Sequence, residues 1–446
     1  MKLIKVNNTY DLNLTGKPST ELSELSASEI FGLNPSRYDL KLRLLVKEGD
    51  SVKIGTPICQ DKKDEAVLFL SPASGTIKTI EFGDRRIISK VIIESDSNNE
   101  SVELFSAQSQ SDIQSSTAQE LAEKLQLGGL WQSFVAYPFQ SIPKSSDLPP
   151  AIYVSLSNDE PFMPHISVVL SAYEKQFLLG LDVLKKLSKA VFVAKSDSEF
   201  IPETIIPHVT HEISGQYPAN HPGVFIYHAK TSQEENKSWG ISALEVVRIG
   251  QLFETGAYPI ERIIVVAGAL AKKPRHIKIR EGVSLEFLKN EILSEEPVRI
   301  VAGGVLTGKA VLENDFLGAQ DFAIHLLREG YEQELFTFFR PGFDKPTYGR
   351  TYLSTLINAE NNMTTSLNGG ERACISCGIC PNVCPVDLYP QLIMKSLYAN
   401  DVETAVSYGF LDCVQCGLCT HVCPSKIDMD VVFKQAKDNL LKEVNR

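Results

Sequence analysis

The chain has 446 residues, 43% of them hydrophobic and 22% charged, which is enough apolar material for several cored domains and too much for a disordered chain. Its 44 basic and 55 acidic side chains leave a net charge of −11, so a broad basic face is excluded and no nucleic-acid partner is expected. Eight of the nine cysteines fall between Cys374 and Cys423, unlike the spread bridges of a disulfide-stapled secreted protein. The best apolar run, Ile263 to Ala271, is far short of the roughly 18 residues a bilayer span needs, and MKLIKVNNTYDL has no apolar signal core. A soluble chain made in the cytoplasm, with no transmembrane span of its own, is expected.

Residues 1–35 read as an N-terminal extension, extended and then loop-like. Leu40, Leu42, Leu44 and Val46 alternate with Lys41, Arg43 and Leu45, the period of a strand with one mostly buried face. Turns at Gly49-Asp50 and Pro72–Gly75 set off short strands at Val52–Gly55 and Thr76–Ile80. The pattern LLVKEGDSVKIGTPI…SPASGTIKTI resembles the barrel-sandwich hybrid of lipoyl- and biotinyl-type domains, placed at 36–105. The lysine modified in that family is not at the expected turn, which favours a structural hammerhead over a modified carrier. Ser97–Ser116 is polar and reads as a linker. A helix at Ala118–Leu130, strands at Ala151–Ser155 and Ala190–Ala194, and one or two helices at Ile166–Leu187 then follow. The alternation runs on through Gly223–His228 and Ala243–Ile249 to a buried strand at Ile263–Ala267. Together they predict a central Rossmann-like α/β domain over 118–270. Residues 271–335 form a small module with a strand at His276–Arg280, a short helix at Leu285–Leu293 capped by Ser284, and a strand at Val298–Val301. It resembles the soluble-ligand-binding β-grasp modules of respiratory subunits. Glu334–Leu356 is aromatic and partly extended, and Asn358–Gly370 is a polar linker. Residues 365–446 form a helical domain. Within it Leu388, Leu392, Leu397 and Tyr398 recur at helical intervals, and Ile427–Leu441 is the terminal helix.

The strongest chemical signal lies in that last domain. Cys374-x2-Cys377-x2-Cys380-x3-Cys384-Pro385 repeats as Cys413-x2-Cys416-x2-Cys419-x3-Cys423-Pro424. This is the spacing of a bacterial-type ferredoxin with two [4Fe–4S] clusters. Three thiolates two residues apart wrap one cubane, and the fourth reaches the other. Gly378 and Gly417 let each loop bend closely, and Pro385 and Pro424 set the exit direction. The expected ligand sets are Cys374, Cys377, Cys380 and Cys423 for one cluster, and Cys413, Cys416, Cys419 and Cys384 for the other. Zinc is the competing occupant, but four-cysteine zinc sites use two separated C-x2-C pairs.

Other candidates are weaker. His208, His211, His221 and His228 are half of the eight histidines, yet they match no compact metal signature, and a loop lining a cleft is the default reading. The run from Gly303 to Lys309 is superficially similar to a phosphate loop but lacks the Ser/Thr after Lys309. Cys59 reads as a small buried hydrophobe.

The whole chain resembles the NqrA family, the A subunits of the sodium-translocating NADH:quinone oxidoreductases. LNLTGKP (Leu12–Pro18), Gly129-Leu130-Trp131, Tyr137–Pro143 and His221-Pro222-Gly223 carry the likeness. So do VRIGQLFETGAYPIERIIVVAG (Val247–Gly268), VAGGVLTG (Val301–Gly308) and FFRPGFDKPTYGRTYLS (Phe338–Ser354). The cysteine repeat resembles that of the C subunits of Rnf electron-transport complexes. The flavin-loop position of those proteins corresponds to Gly128–Ser133, whose bulky residues prevent close backbone approach to a phosphate, so no flavin is expected on this chain. The resemblance implies a peripheral protein on the cytoplasmic side of the bacterial inner membrane, not catalytic in isolation. It would be one of six subunits, packed on the membrane-embedded B subunit, in a complex that oxidises NADH, reduces ubiquinone and exports sodium. An Rnf-type electron carrier between NADH or flavin and ferredoxin, and a scaffold with structural clusters, are the alternatives.

Overall fold

The computed structural model describes all residues except 26–27, 39, 158, 294–295, 331–338, 344–351, 358–359, 368 and 445–446. Most of the aromatic stretch expected between Glu334 and Leu356 therefore lies outside the described residues. Its described end, Leu353–Leu356, is a 3₁₀ turn.

Two small antiparallel sheets make the N-terminal unit. One has the order Ile30–Leu33, Ile88–Ser95, Gly75–Phe82, Ser51–Val52, and the other Leu42–Leu44, Pro57–Asp61, Leu68–Leu70. Phe31, Val52, Ile58, Ile77, Val91 and Ile93 from both sheets meet in one core, the sandwich implied by the likeness to lipoyl- and biotinyl-type domains.

The α/β unit is built on a parallel sheet. Ile152–Ser155, Val191–Ser196, His211–Ser214 and Trp239–Ser242 stand in the order third, second, first, fourth, as in one half of a doubly wound fold. Thr117 and Glu120 form a reciprocal capping box that starts the helix Ala118–Leu127, which stops at Gly128. Ile166–Leu187 is one helix with a break in helical geometry at Tyr173, and it packs on Ala243–Thr255. Two glycines permit that contact. A Cβ on Gly180 would lie 2.1 Å from Val246 O, and one on Gly250 would lie 1.7 Å from Gln176 O. Gly223–His228, left open between helix and strand by its pattern, lies in the helix Pro222–Ala229, with proline in its first turn and His221 capping it.

A second six-stranded sheet is mixed. Its order is Ser19–Glu24, Arg275–Arg280, Glu261–Ala267, Ala323–Arg328, Val298–Ala302, Lys309–Val311. Two features differ from the sequence reading. The strand expected to close the α/β domain lies inside this sheet, antiparallel to Arg275–Arg280 and parallel to Ala323–Arg328. An apolar run demands cover on both faces but does not say which sheet provides it. The N-terminal stretch is also no free extension. Lys2–Lys5 pairs with His211–Ser214 at the edge of the α/β sheet, and Ser19–Glu24 pairs with Arg275–Lys278 at the edge of the mixed sheet. The expected helix after Ser284 is a run of 3₁₀ turns, Leu285–Asn290.

The strand Glu261–Ala267 shows how the layers stack. Ile264 and Val266 face the sandwich core, whereas Val265 and Ala267 face a cluster shared with Val383, Leu418 and Val422 of the cysteine-rich domain. That domain is helical, with Pro390–Tyr398, Val402–Ser407, Leu418–His421 and Met429–Val444. Ile393, Phe410, Val414 and Phe433 share a core with Tyr153, Ile213 and Phe225 of the α/β unit. Among the described residues, no helix is long and apolar enough to cross a membrane.

Candidate iron–sulfur site

The two cysteine motifs fold as one repeated backbone. Ser376 and Gly378 of the first have φ of 54° and 73°, and Gln415 and Gly417 of the second have 54° and 75°. Asp387 and Lys426, each three residues after the fourth cysteine of its motif, have 53° and 57°. The left-handed positions turn the chain so that successive cysteines face one centre, and glycine adopts them without steric penalty.

The structure gathers the cysteines across the motifs. Cys374, Cys377, Cys380 and Cys423 line one pocket together with Ile375, Ile379, Gln391 and Met429. Cys384 lies with Cys413, Cys416 and Cys419, near enough that each ionised thiol would repel its neighbours. Burial, reinforced by those neighbours, pushes Cys380 up to about 11 and Cys384 up to about 12. Thiols so placed ionise only for a cationic partner, as metal ligation requires. Among the described residues, no three His, Cys, Asp or Glu side chains converge as a single ion needs. A donor set made of thiols around an open cavity fits a polyatomic cubane better than zinc.

The two halves sit differently. In the first, Cys377 and Ser376 are exposed and Ile375 is 68% exposed. In the second, Val414, which matches Ile375, is 4% exposed and meets the α/β unit at Gly223. Polar contacts tie this inner half down. Tyr217 Oη donates to Cys416 O (2.8 Å), Gln140 Nε2 to Cys413 O (2.8 Å) and His228 Nε2 to Pro385 O (2.8 Å). Lys437, 1% exposed on the terminal helix, donates to Cys413 O, Pro138 O and Leu411 O. Burial pulls its ammonium below the usual lysine range, and the neighbouring Cys413 opposes this. Sequence reasoning missed this lysine, although Phe433, Lys437 and Leu440 form one helical stripe in which a charge is out of place.

The remaining candidates resolve separately. His208 meets Lys185, His211 meets Phe192 and Phe225 edge-on, His221 caps a helix and His228 holds the cysteine domain, so the four histidines serve four different contacts. The loop similar to a phosphate loop holds a carboxylate of the chain itself. Glu160 Oε1 accepts from Leu306 N (2.7 Å) and Thr307 N (3.0 Å), and Oε2 from Thr307 Oγ1 (2.8 Å). A Cβ on Gly304 would lie 1.8 Å from Glu160 Oε2, so a side chain there would displace the carboxylate. Cys59 is fully buried, and burial pushes its thiol up to about 12. Gly128–Ser133 is core. Trp131 is 1% exposed, donates to Pro143 O (2.9 Å) and meets Trp239 edge-on. A cleft with about 900 Å³ of empty space opens beyond the carboxyl ends of the parallel strands, with Asp11, Asp159, Glu160 and Glu199 on its walls.

A buried charge network joins the units. Arg248 meets Glu245 (3.2 Å) and Glu281 (3.0 Å), Arg262 also meets Glu281, and Tyr258 Oη donates to Glu281 (2.7 Å). Arg248 and Glu245 lie on the helix Ala243–Thr255, and Arg262 on a strand of the mixed sheet, so the network fixes one against the other.

A sandwich, a doubly wound half-fold, a mixed sheet and an appended two-cluster helical domain define a multidomain α/β chain with the parts of an electron-transfer protein. Family models match along its length: the "NqrA N-terminal barrel-sandwich hybrid domain" at residues 4–96, the "NqrA second alpha/beta domain" at 116–258, the "NQRA C-terminal domain" at 263–313 and a "4Fe-4S dicluster domain" at 373–428. The chain is 34% identical over 405 residues to the A subunit of the Na(+)-translocating NADH-quinone reductase of Marinomonas sp. (strain MWYL1), covering 90% of each. It is 32% identical over 408 residues to the same protein of Actinobacillus pleuropneumoniae serotype 3 (strain JL03), again covering 90% of each. The chain belongs to the NqrA family, the A subunits of Na(+)-translocating NADH-quinone reductases, and it carries in addition a C-terminal dicluster domain.

Proposed function

We propose that this chain is the peripheral A subunit of a six-subunit, membrane-bound Na+-translocating NADH:ubiquinone reductase, and that it takes part in electron transfer towards ubiquinone. The observation that carries the reading is the gathering of eight cysteines into two crossed sets on a body of this family. Cys374, Cys377, Cys380 and Cys423 would hold one [4Fe–4S] cluster, and Cys384, Cys413, Cys416 and Cys419 the other. When bound, the two clusters supply one-electron transfer.

The residues of the chain do the rest. Ile375, Ile379 and Met429 limit water around the outer set. Tyr217, Gln140 and Lys437 fix the carbonyls of the inner one. The body anchors this domain through His228, Asn8 (to Asp387, 2.9 Å) and Lys230 (to Asp412, 3.0 Å). A protein interface that keeps a carrier beside its donor raises the effective concentration without new chemistry. The expected seat is the cytoplasmic face of the inner membrane, on the membrane-embedded B subunit. The domain reading proposed is a sandwich at 36–105, an α/β domain at 118–270, a β-grasp module at 271–335 that recruits the strand Glu261–Ala267, and the cluster domain at 365–446. The isolated chain carries no catalytic residues of its own in this reading.

Anaerobic iron and acid-labile sulfide analysis should find about eight irons per chain. Electron paramagnetic resonance on the assembled complex should then show both clusters reduced by NADH. Clusters that never change redox state during turnover would leave a scaffold. Stoichiometric flavin on the purified chain would instead point to an Rnf-type carrier.

A further inference from the structure

The inner cysteine set has a neighbour that the outer one lacks. Lys437 is 1% exposed, and its ammonium is met by three carbonyls: Cys413 O at 2.5 Å, Pro138 O at 3.1 Å and Leu411 O at 3.4 Å. Two acids lie beside this site: Asp412, engaged by Lys230 at 3.0 Å, and Asp430, on the helix of Lys437, whose charge reaches Cys413, Cys416 and Cys419. A buried cation is costly unless an anion lies close by. The anion that this chain prepares is the thiolate set of Cys384, Cys413, Cys416 and Cys419.

The internal repeat supplies a built-in comparison. The helix Pro390–Tyr398 follows the first motif as Met429–Val444 follows the second. By distance along the chain from the last cysteine of each motif, the counterpart of Lys437 is Tyr398, which is 57% exposed. Near the outer set the polar neighbours are the neutral amide of Gln391, which accepts from Cys380 Sγ at 3.2 Å, and the exposed Lys395, which donates to Ser376 Oγ at 2.9 Å. The two sets thus share backbone and ligand type but differ in buried charge.

We propose that Lys437 is a positioning residue for electron transfer: its fixed charge raises the reduction potential of the inner cluster selectively and draws the electron inward from the exposed outer one. The inference rests on the two-cluster reading above. One-electron reduction makes the core of a cubane one unit more negative and moves no proton. A cation held beside it in a low-dielectric site favours the reduced state.

The test is a redox titration of the full chain under anaerobic conditions, with dithionite as electron donor, mediators present and electron paramagnetic resonance as readout. Lys437→Met should lower one midpoint by at least tenfold in the equilibrium constant, or about 59 mV for one electron, and move the other much less. The midpoint that moves should belong to the signal lost in Cys384→Ala. Lys437→Arg should return it towards the wild-type value. If Lys437→Met fails to retain iron, Lys437→Gln, which keeps a donor for the carbonyls, should show the same drop. No drop, an equal drop at both clusters, or a drop that Lys437→Arg does not reverse would overturn the assignment. A chain without two cubane signals would overturn the reading beneath it as well.

Discussion

Glu281 is the point at which the buried charge network is most vulnerable. Its side chain is 4% exposed and faces Arg248 at 3.0 Å, Arg262 and the Tyr258 hydroxyl at 2.7 Å. Glu281→Gln keeps the shape and removes the charge. Arg248 would still have Glu245 at 3.2 Å and Ala319 O at 3.0 Å. Arg262 would be left without an ion-pair partner, held only by neutral groups: the carbonyls of Gly318 and Ala319, the Phe322 ring at 5.5 Å and the new amide. Burial first, and Arg248 second, already pull Arg262 below its ordinary value against the pull of Glu281. The substitution therefore strands one buried cation, at a cost of about 3–5 kcal/mol. That is a large share of the roughly 5–15 kcal/mol that holds a typical domain folded. The assay is urea unfolding followed by tryptophan fluorescence, because both tryptophans, Trp131 and Trp239, are buried against each other, and Trp131 lies two positions before Ser133, whose hydroxyl donates to Glu245 (2.6 Å). The midpoint should fall with little change in slope. Glu281→Leu combined with Arg262→Met should recover most of the loss, since an apolar pair strands no charge. A loss below about 1 kcal/mol for Glu281→Gln, the level of an ordinary surface pair, would refute the reasoning. So would a double variant no better than the single one.

Three further outcomes follow from the geometry. Cys374→Ala and Cys423→Ala should erase the same paramagnetic signal, while Cys384→Ala spares it; pairing of Cys374 with Cys384 in one lost signal would show uncrossed ligation. Glu160→Gln should cost about 1–3 kcal/mol by removing a charge from three hydrogen bonds, and hydrogen exchange at the Leu306 and Thr307 amides should quicken; unchanged exchange there would count against the internal carboxylate clasp. His325 is fully buried, and burial lowers its pKa to about 4, so it stays neutral in the fold while the unfolded chain protonates. Its contribution is therefore complete above pH 6.5 and is lost as pH falls towards 4, by about 3 kcal/mol in all; a His325→Leu variant whose acid slope matches the wild type would show that another group governs that range.

The cluster domain was legible because its information is local. Ligand spacing, the glycine in each loop and the proline after each fourth cysteine all lie within a few residues of one another. The sandwich was legible from short strands, glycine turns and the likeness to lipoyl-type domains, although Pro57–Asp61 is buried along nearly its whole length and not on one face alone. Partnership between distant segments was not. Ile263–Ala267 announces its burial but not its sheet. Ser19–Glu24 is almost wholly exposed and carries no hydrophobic period at all. Glu160 and the loop it occupies stand 146 residues apart for the Leu306 contact, so the glycines of that loop resembled a phosphate site. Nothing in the sequence shows that Gly180 and Gly250 bring two helix backbones into contact.

The two edge strands at the start of the chain carry a consequence for biosynthesis. Lys2–Lys5 is made long before its partner, which begins at His211; Ser19–Glu24 must wait for Arg275. This segment therefore stays unpaired while both units between are made, and it locks two sheets only when both exist. Lysines, serines and glutamates dominate these waiting strands, which keeps them soluble and unattractive to other strand edges in the interval. A nascent chain stalled before Arg275 would hold a sandwich and an α/β unit with nothing yet binding Ser19–Glu24 in place.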